Sequence, residues 1–182
     1  SSLIIKWNDS VSVFKVNCVI YFMFQFFLTR SISINTALEL DIYGNVNSTH
    51  VLGTKMMNGI GGSGDFARNA RLAIFVTKSI AKGGNISSIV PFVSHVDHTE
   101  HDVDVIVTEQ GYVDLRGLAP RERVELIIEN CAHPMYRDQL RAYYEEAKTR
   151  GGQTPHVLEK AFSWHTNYAK NGTMLEAVVE TV

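Results

Sequence analysis

The sequence predicts an α/β fold, and two observations predict it. Short apolar stretches of strand length recur through the first two thirds of the chain, separated by polar and glycine-rich segments. The last third instead carries apolar residues at helical spacing, punctuated by prolines where helices begin and glycines where they stop.

The first strand candidate is the stretch 33–42. Ile34, Leu38, Leu40 and Ile42 alternate with Asn35, Glu39 and Asp41, and Gly44-Asn45 ends the pattern. Further strands are expected over 72–77, 88–93 and 103–108. Pro120 opens a helix reaching about Asn130, built on Val124, Leu126, Ile127 and Ile128. Pro134 suits the first turn of a second helix carrying Tyr136, Leu140, Tyr143 and Tyr144, which Gly151-Gly152 stops. Thr154-Pro155 has the form of an N-cap followed by a first-turn proline, so a third helix is expected from there through Trp164 and Tyr168.

Composition narrows the function classes. The 182 residues are enough for one domain with a real core. A formal charge of -2 gives no electrostatic basis for nucleic-acid binding. The two cysteines, Cys18 and Cys131, are too few for a disulfide framework and fit a reducing compartment. Residues 1–31 read differently from the rest. The run 11–28 is apolar and aromatic, with Phe14, Tyr21, Phe22, Phe24, Phe26 and Phe27, but Lys15, Asn17 and Gln25 interrupt it. It is short for a membrane span, which needs about 20 residues, and it lacks the basic start and cleavage site of a signal peptide. The expectation is a divergent segment over 1–31, foreign to a domain over 32–182, with no membrane partner.

Four features carry chemistry. Asn58-Gly59-Ile60-Gly61-Gly62-Ser63-Gly64-Asp65-Phe66 is the densest glycine cluster. Successive backbone N–H groups there can hold an anion or oxyanion, and a short helix over 66–71 would add to that field. Gly59, Gly61 and Gly64 satisfy G-x-G-x-x-G, but no good strand precedes them and no acid lies about twenty positions on, so a dinucleotide site is disfavoured. A tight structural turn remains the alternative. Lys82, in Ala81-Lys82-Gly83-Gly84, suits a phosphate contact or a solvated turn. Glu109 follows a strand, where α/β proteins place ligand-facing groups, although a solvated strand-end acid reads the same. His95, His98 and His101 invite a metal reading, but their spacing meets no established ligand pattern and a polar turn explains them; no metal is expected.

Several segments taken together resemble a known family. Gly44-Asn45-Val46-Asn47-Ser48-Thr49-His50, then Gly59-Ile60-Gly61-Gly62-Ser63-Gly64-Asp65-Phe66, then Ser94-His95-Val96-Asp97-His98-Thr99, then Val107-Thr108-Glu109-Gln110-Gly111 and Asp114-Leu115-Arg116-Gly117 occur in order. They resemble the C-terminal domain of the acetyl-CoA hydrolase/transferase family, most of all its succinyl-CoA:acetate CoA-transferase branch. The resemblance implies a class I CoA-transferase-type domain: a mixed sheet flanked by helices, with a helical tail. It implies covalent catalysis by a glutamate that forms an acyl anhydride and then a glutamyl-CoA thioester. By the same resemblance Gly62 supplies an oxyanion-stabilising amide, Glu109 positions the thioester end of CoA, and Lys82, with Gly59 and Gly61, contacts the CoA substrate. No further cofactor is implied. The expected partners are acyl-CoA, small carboxylates, the N-terminal domain of the same enzyme and a second copy of the full-length chain. Hydrolysis of acetyl-CoA and an inactive CoA-binding module stand as alternatives.

Two departures accompany the resemblance. The family's nucleophilic glutamate belongs to a segment upstream of Ser1. The family's serine-asparagine-histidine-proline-glutamate stretch, with its active-site asparagine, is replaced by the phenylalanine-rich run, where Tyr21 stands at the corresponding distance from Asn35. This chain alone is therefore expected to be inactive. The family's setting is the bacterial cytoplasm or a mitochondrion-like organelle.

Overall fold

The computed structural model describes residues 31–176. The readings made on residues 1–30, including the aromatic run and Tyr21, lie outside the described residues. The elements in chain order are strands β1 (Ile32–Thr36), β2 (Glu39–Asp41), β3 (Val46–Asn47), β4 (His50–Val51) and β5 (Lys55–Met56), helix α1 (Ser63–Asn69), and strands β6 (Leu72–Val76), β7 (Ile80–Ala81), β8 (Ile86–Ser87), β9 (Ile89–Val90), β10 (Val105–Val107) and β11 (Tyr112–Asp114). Helices α2 (Pro120–Cys131), α3 (Pro134–Lys148) and α4 (Ser163–Asn171) follow.

The main sheet has the order β1-β6-β10-β11. β1, β6 and β10 run parallel, and β11 returns antiparallel to β10. A second sheet, β3-β2-β9, is mixed. The α/β architecture expected from the sequence is present.

The stretch 33–42 is two strands rather than one. Ala37 N–H bonds the Val76 carbonyl at 3.0 Å, whereas Leu38 N–H bonds the Asn47 carbonyl at 2.8 Å. The chain therefore leaves the main sheet and enters the second one within a single residue step. That step also breaks the expected alternation: Ser33 is buried and Ile34 exposed in β1, while all of β2 is buried. The strand expected over 88–93 pairs only at Ile89–Val90, and that over 103–108 only at Val105–Val107.

The parallel strands advance in one direction across the sheet. Right-handed crossovers then fall on a single face. Ala73, Phe75, Ile106 and Val113 occupy that face, at most 5% exposed, and α1 packs on β1 and β6 while α2 packs on β10 and β11. His98 lies tilted against Phe75, ring centroids 4.8 Å apart, and bonds Ser63 Oγ at 2.9 Å, which ties the start of α1 to the core. The opposite face carries Ile32 and Ile34 at 60% and 68% exposure.

The helices at Pro120 and Pro134 begin where the prolines place them. Glu122 accepts the Ala119 N–H at 2.8 Å, satisfying a donor at the start of α2. Thr154-Pro155 does not start a helix. Tyr43 donates its hydroxyl to the Pro155 carbonyl, Val157 N–H donates to Tyr143 Oη at 3.3 Å, and His156 stands edge-on to Tyr43. These contacts hold the segment out of a helix until α4 begins at Ser163.

Candidate active site at the carboxyl ends of the parallel strands

The three parallel strands end side by side, at Thr36, Val76 and Val107. In open α/β sheets this edge is where ligands bind. Adjacent strands lie about 4.8 Å apart, so the ends of β1 and β10 are about 10 Å apart.

On the β10 side, Thr108, Glu109, Gln110 and Gly111 close a two-residue turn. Thr108 N–H bonds the Gly111 carbonyl at 2.8 Å, and Gly111 N–H bonds the Thr108 carbonyl at 3.3 Å. Thr108 Oγ1 donates to the Cys131 carbonyl at 2.9 Å, fixing the turn to the end of α2. Position 111 has no room for a side chain, because a Cβ there would lie 2.8 Å from the Asn130 carbonyl oxygen. Glu109 is exposed at the tip. Ser79 N–H donates to its Oε2 at 2.8 Å, the Ser79 hydroxyl donates to its Oε1, and Gln110 Nε2 donates to Oε1 at 3.3 Å. Burial lifts the carboxyl, but the two Ser79 donors outweigh it and hold the group at about 2. Glu109 is therefore a carboxylate at neutral pH and an acceptor only.

On the β1 side, the glycine loop is tethered at its entrance. Met57 and Asn58 N–H groups bond the Thr49 carbonyl at 2.8 and 3.4 Å. Asn58 Nδ2 donates to the Ser48 carbonyl at 2.8 Å, and Ser48 Oγ donates to the Thr36 carbonyl at 3.0 Å, at the end of β1. Gly59, Gly61 and Gly62 follow, all exposed. Gly61 adopts φ +58, open to glycine at no steric cost. Gly62 is the N-cap of α1, which starts at Ser63, earlier than the expected 66–71.

The tether reaches a buried anchor. Asn47, fully buried, accepts the N–H groups of Thr49 and His50 at 3.1 and 2.9 Å and donates to Glu39 Oε1 at 2.9 Å. Glu39 also accepts Ser94 N–H at 2.7 Å, Ser94 Oγ at 2.6 Å and His165 Nε2 at 2.8 Å. Burial pushes the Glu39 carboxyl up, but His165, Ser94 and Asn47 bring it below the ordinary value.

Lys82 sits at the tip of the β7–β8 hairpin, with φ +49 and its Nζ 6.0 Å from the Tyr168 ring centroid. It is three residues beyond Ser79, about 10 Å of extended chain. The three histidines do not converge. His98 is buried on Ser63, while His95 pairs with Asp97 and His101 with Glu100. No metal-binding cluster occurs among the described residues.

The geometry thus puts Glu109 and the entrance to the Gly59–Gly61–Gly62 loop on one edge, with Lys82 on the hairpin that leaves it. Ser79 and Asn47 were missed in the sequence. Ser79 carries no signal of its own in the sequence; the register that sets Val76 opposite Val107 brings it to Glu109.

The C-terminal domain of the acetyl-CoA hydrolase/transferase family matches residues 4–144. This chain belongs to that family. Among relatives of this acetyl-CoA hydrolase/transferase domain, succinyl-CoA:acetate CoA-transferase of Clostridium kluyveri is 75% identical over 144 residues, covering 79% of this chain and 27% of the relative. Propanoyl-CoA:succinate CoA transferase of Escherichia coli is 59% identical over 144 residues, covering 79% and 29%. Acetyl-CoA hydrolase of Yarrowia lipolytica is 55% identical over 152 residues, with the same coverage. The crystal structure of RipA from Yersinia pestis superposes with a TM-score of 0.58 at 39% identity, covering 63% of this chain and 27% of that one. The chain spans less than a third of the length of these proteins.

Proposed function

We propose that this domain forms the CoA-facing half of a site that moves coenzyme A between an acyl-CoA, succinyl-CoA or acetyl-CoA, and a small carboxylate. The observation that carries the reading is the shared edge: an ionised Glu109 and a glycine loop lie across the ends of the same three parallel strands. The names of the relatives supply the reaction class.

In this reading a glutamate from the polypeptide upstream attacks the thioester carbonyl. The CoA thiolate leaves, giving an acyl-glutamyl anhydride. The thiolate then attacks the glutamyl carbonyl and releases the first carboxylate, leaving glutamyl-CoA, which an incoming carboxylate resolves in the reverse order. Each step passes through an oxyanion, and the Gly62 N–H is its donor. Glu109, fixed and negative, accepts hydrogen bonds from the pantetheine end of CoA and repels a carboxylate from that position. Lys82 meets the phosphates. The site works in the cytoplasm or a mitochondrion-like organelle, in a protein that pairs with a second copy of itself. Among the described residues no helix is long and apolar enough to cross a membrane.

Hydrolysis of acetyl-CoA is the second reading, favoured by the hydrolase among the relatives. Thioester consumption by the full-length protein, with and without succinate or acetate, separates the two. Strict dependence on a carboxylate acceptor supports transfer, and consumption in water alone supports hydrolysis. Consumption in neither condition overturns both.

A further inference from the structure

We propose that Ser79 is the positioning residue of this site, clamping both Glu109 oxygens and fixing that carboxylate relative to the Lys82 turn. The inference rests on the CoA-facing reading of Glu109 but goes beyond it, because it concerns a buried residue behind that carboxylate.

Ser79 is fully buried, and its hydrogen-bonding groups join two parts of the fold. The hydroxyl takes Glu109 Oε1 and the N–H takes Oε2. Its carbonyl accepts the Ser88 N–H at 2.9 Å, and the Ser88 carbonyl accepts the Leu40 N–H at 2.7 Å. One residue therefore joins the tip of the β10–β11 turn to the second sheet. The next residue, Ile80, starts the hairpin that carries Lys82. With both oxygens held, the Glu109 carboxylate plane cannot rotate, and only its outward lone pairs remain for a ligand. A hydroxyl alone would hold one oxygen; the paired N–H makes this a two-point hold, as a bidentate donor would.

The hydrogen-bonding groups that hold the carboxylate down are Ser79, from the β6–β7 connection, its own backbone N–H, and Gln110, from its own turn. All are neutral. The low titration of Glu109 comes from hydrogen bonds, so screening by salt should leave it in place, unlike that of an ion pair.

The test is a side-chain carboxyl NMR titration of the 13C-glutamate-labelled chain. Glu109 should remain charged at about pH 3, below the ordinary range of about 4.3, and should do so equally in low and high salt. Ser79→Ala should raise its midpoint by roughly one unit or more, while Ser79→Thr, which keeps the hydroxyl, should not. A wild-type Glu109 titrating in the ordinary range, or an unmoved midpoint in Ser79→Ala, overturns the clamp. The wild-type titration decides even if the variants fail to fold. In the full-length protein, Ser79→Ala should raise the KM for acyl-CoA, and the acid limb of kcat/KM should move with Glu109. A shifted titration with unchanged kinetics refutes the CoA-facing reading of Glu109 and leaves the clamp standing.

Discussion

Replacing Glu39 with alanine tests the anchor behind the glycine loop. The substitution strips the acceptor from four donors: Asn47 Nδ2, Ser94 N–H, Ser94 Oγ and His165 Nε2. Leaving a buried donor unsatisfied costs about 1–3 kcal/mol, and several are left here, against a total of about 5–15 kcal/mol for a domain. With a urea slope of about 1–3 kcal/mol/M, the midpoint of unfolding should fall by about 2 M. The effect depends on pH. The folded Glu39 carboxyl lies below its ordinary value, so its contribution is complete above the usual carboxylate range and is lost as pH falls through it. Wild type and Glu39→Ala should therefore converge in stability toward acid pH. Amide exchange should also quicken at Met57 and Asn58, since Asn47 loses its anchor and releases Thr49. A midpoint shift below about 0.5 M at neutral pH, or a gap that widens in acid, would show that the network does not carry the stability assigned to it.

Four further outcomes are expected. Gly111→Ala puts a Cβ 2.8 Å from the Asn130 carbonyl oxygen, and the overpacking should cost about 1–3 kcal/mol, read by denaturation. In the full-length protein, Gly62→Pro removes an N–H donor and should lower kcat by about 100- to 1000-fold; undiminished turnover in a folded variant would refute its oxyanion role. Lys82→Ala should weaken binding of CoA esters more at low salt than at high salt, measured by calorimetry; equal loss at both would point to lost packing. The chain 1–182 by itself should transfer no CoA, and a covalent CoA adduct at Glu109 in mass spectrometry would overturn its assignment as an accessory group.

Much of this was legible in the sequence because it rests on local rules. Pro120 and Pro134 each suit only the first turn of a helix, and there the helices begin. Glu109 was legible as a residue just past an apolar strand. What failed was decided by distant contacts. The run 33–42 alternates like one strand, yet Ala37 and Leu38 bond in different sheets, and no local pattern reports which partner a strand will find. Thr154-Pro155 has the form of a helix start, but Tyr43, more than a hundred residues earlier, takes its carbonyl. Ser79 carries no motif; its importance comes from the register of β6 against β10.

The placement of the turns has a consequence for how such a domain can diverge. Gln110 and the glycine loop lie beyond the last paired residues of their strands, and their side chains contribute nothing to the face formed by Phe75, Ile106 and Val113. Exposed positions of this kind usually change stability by no more than about 0.5 kcal/mol when substituted. Selection can therefore rewrite these turns while the scaffold persists. A few such positions could change what the edge meets without the sequence passing through an unfolded intermediate.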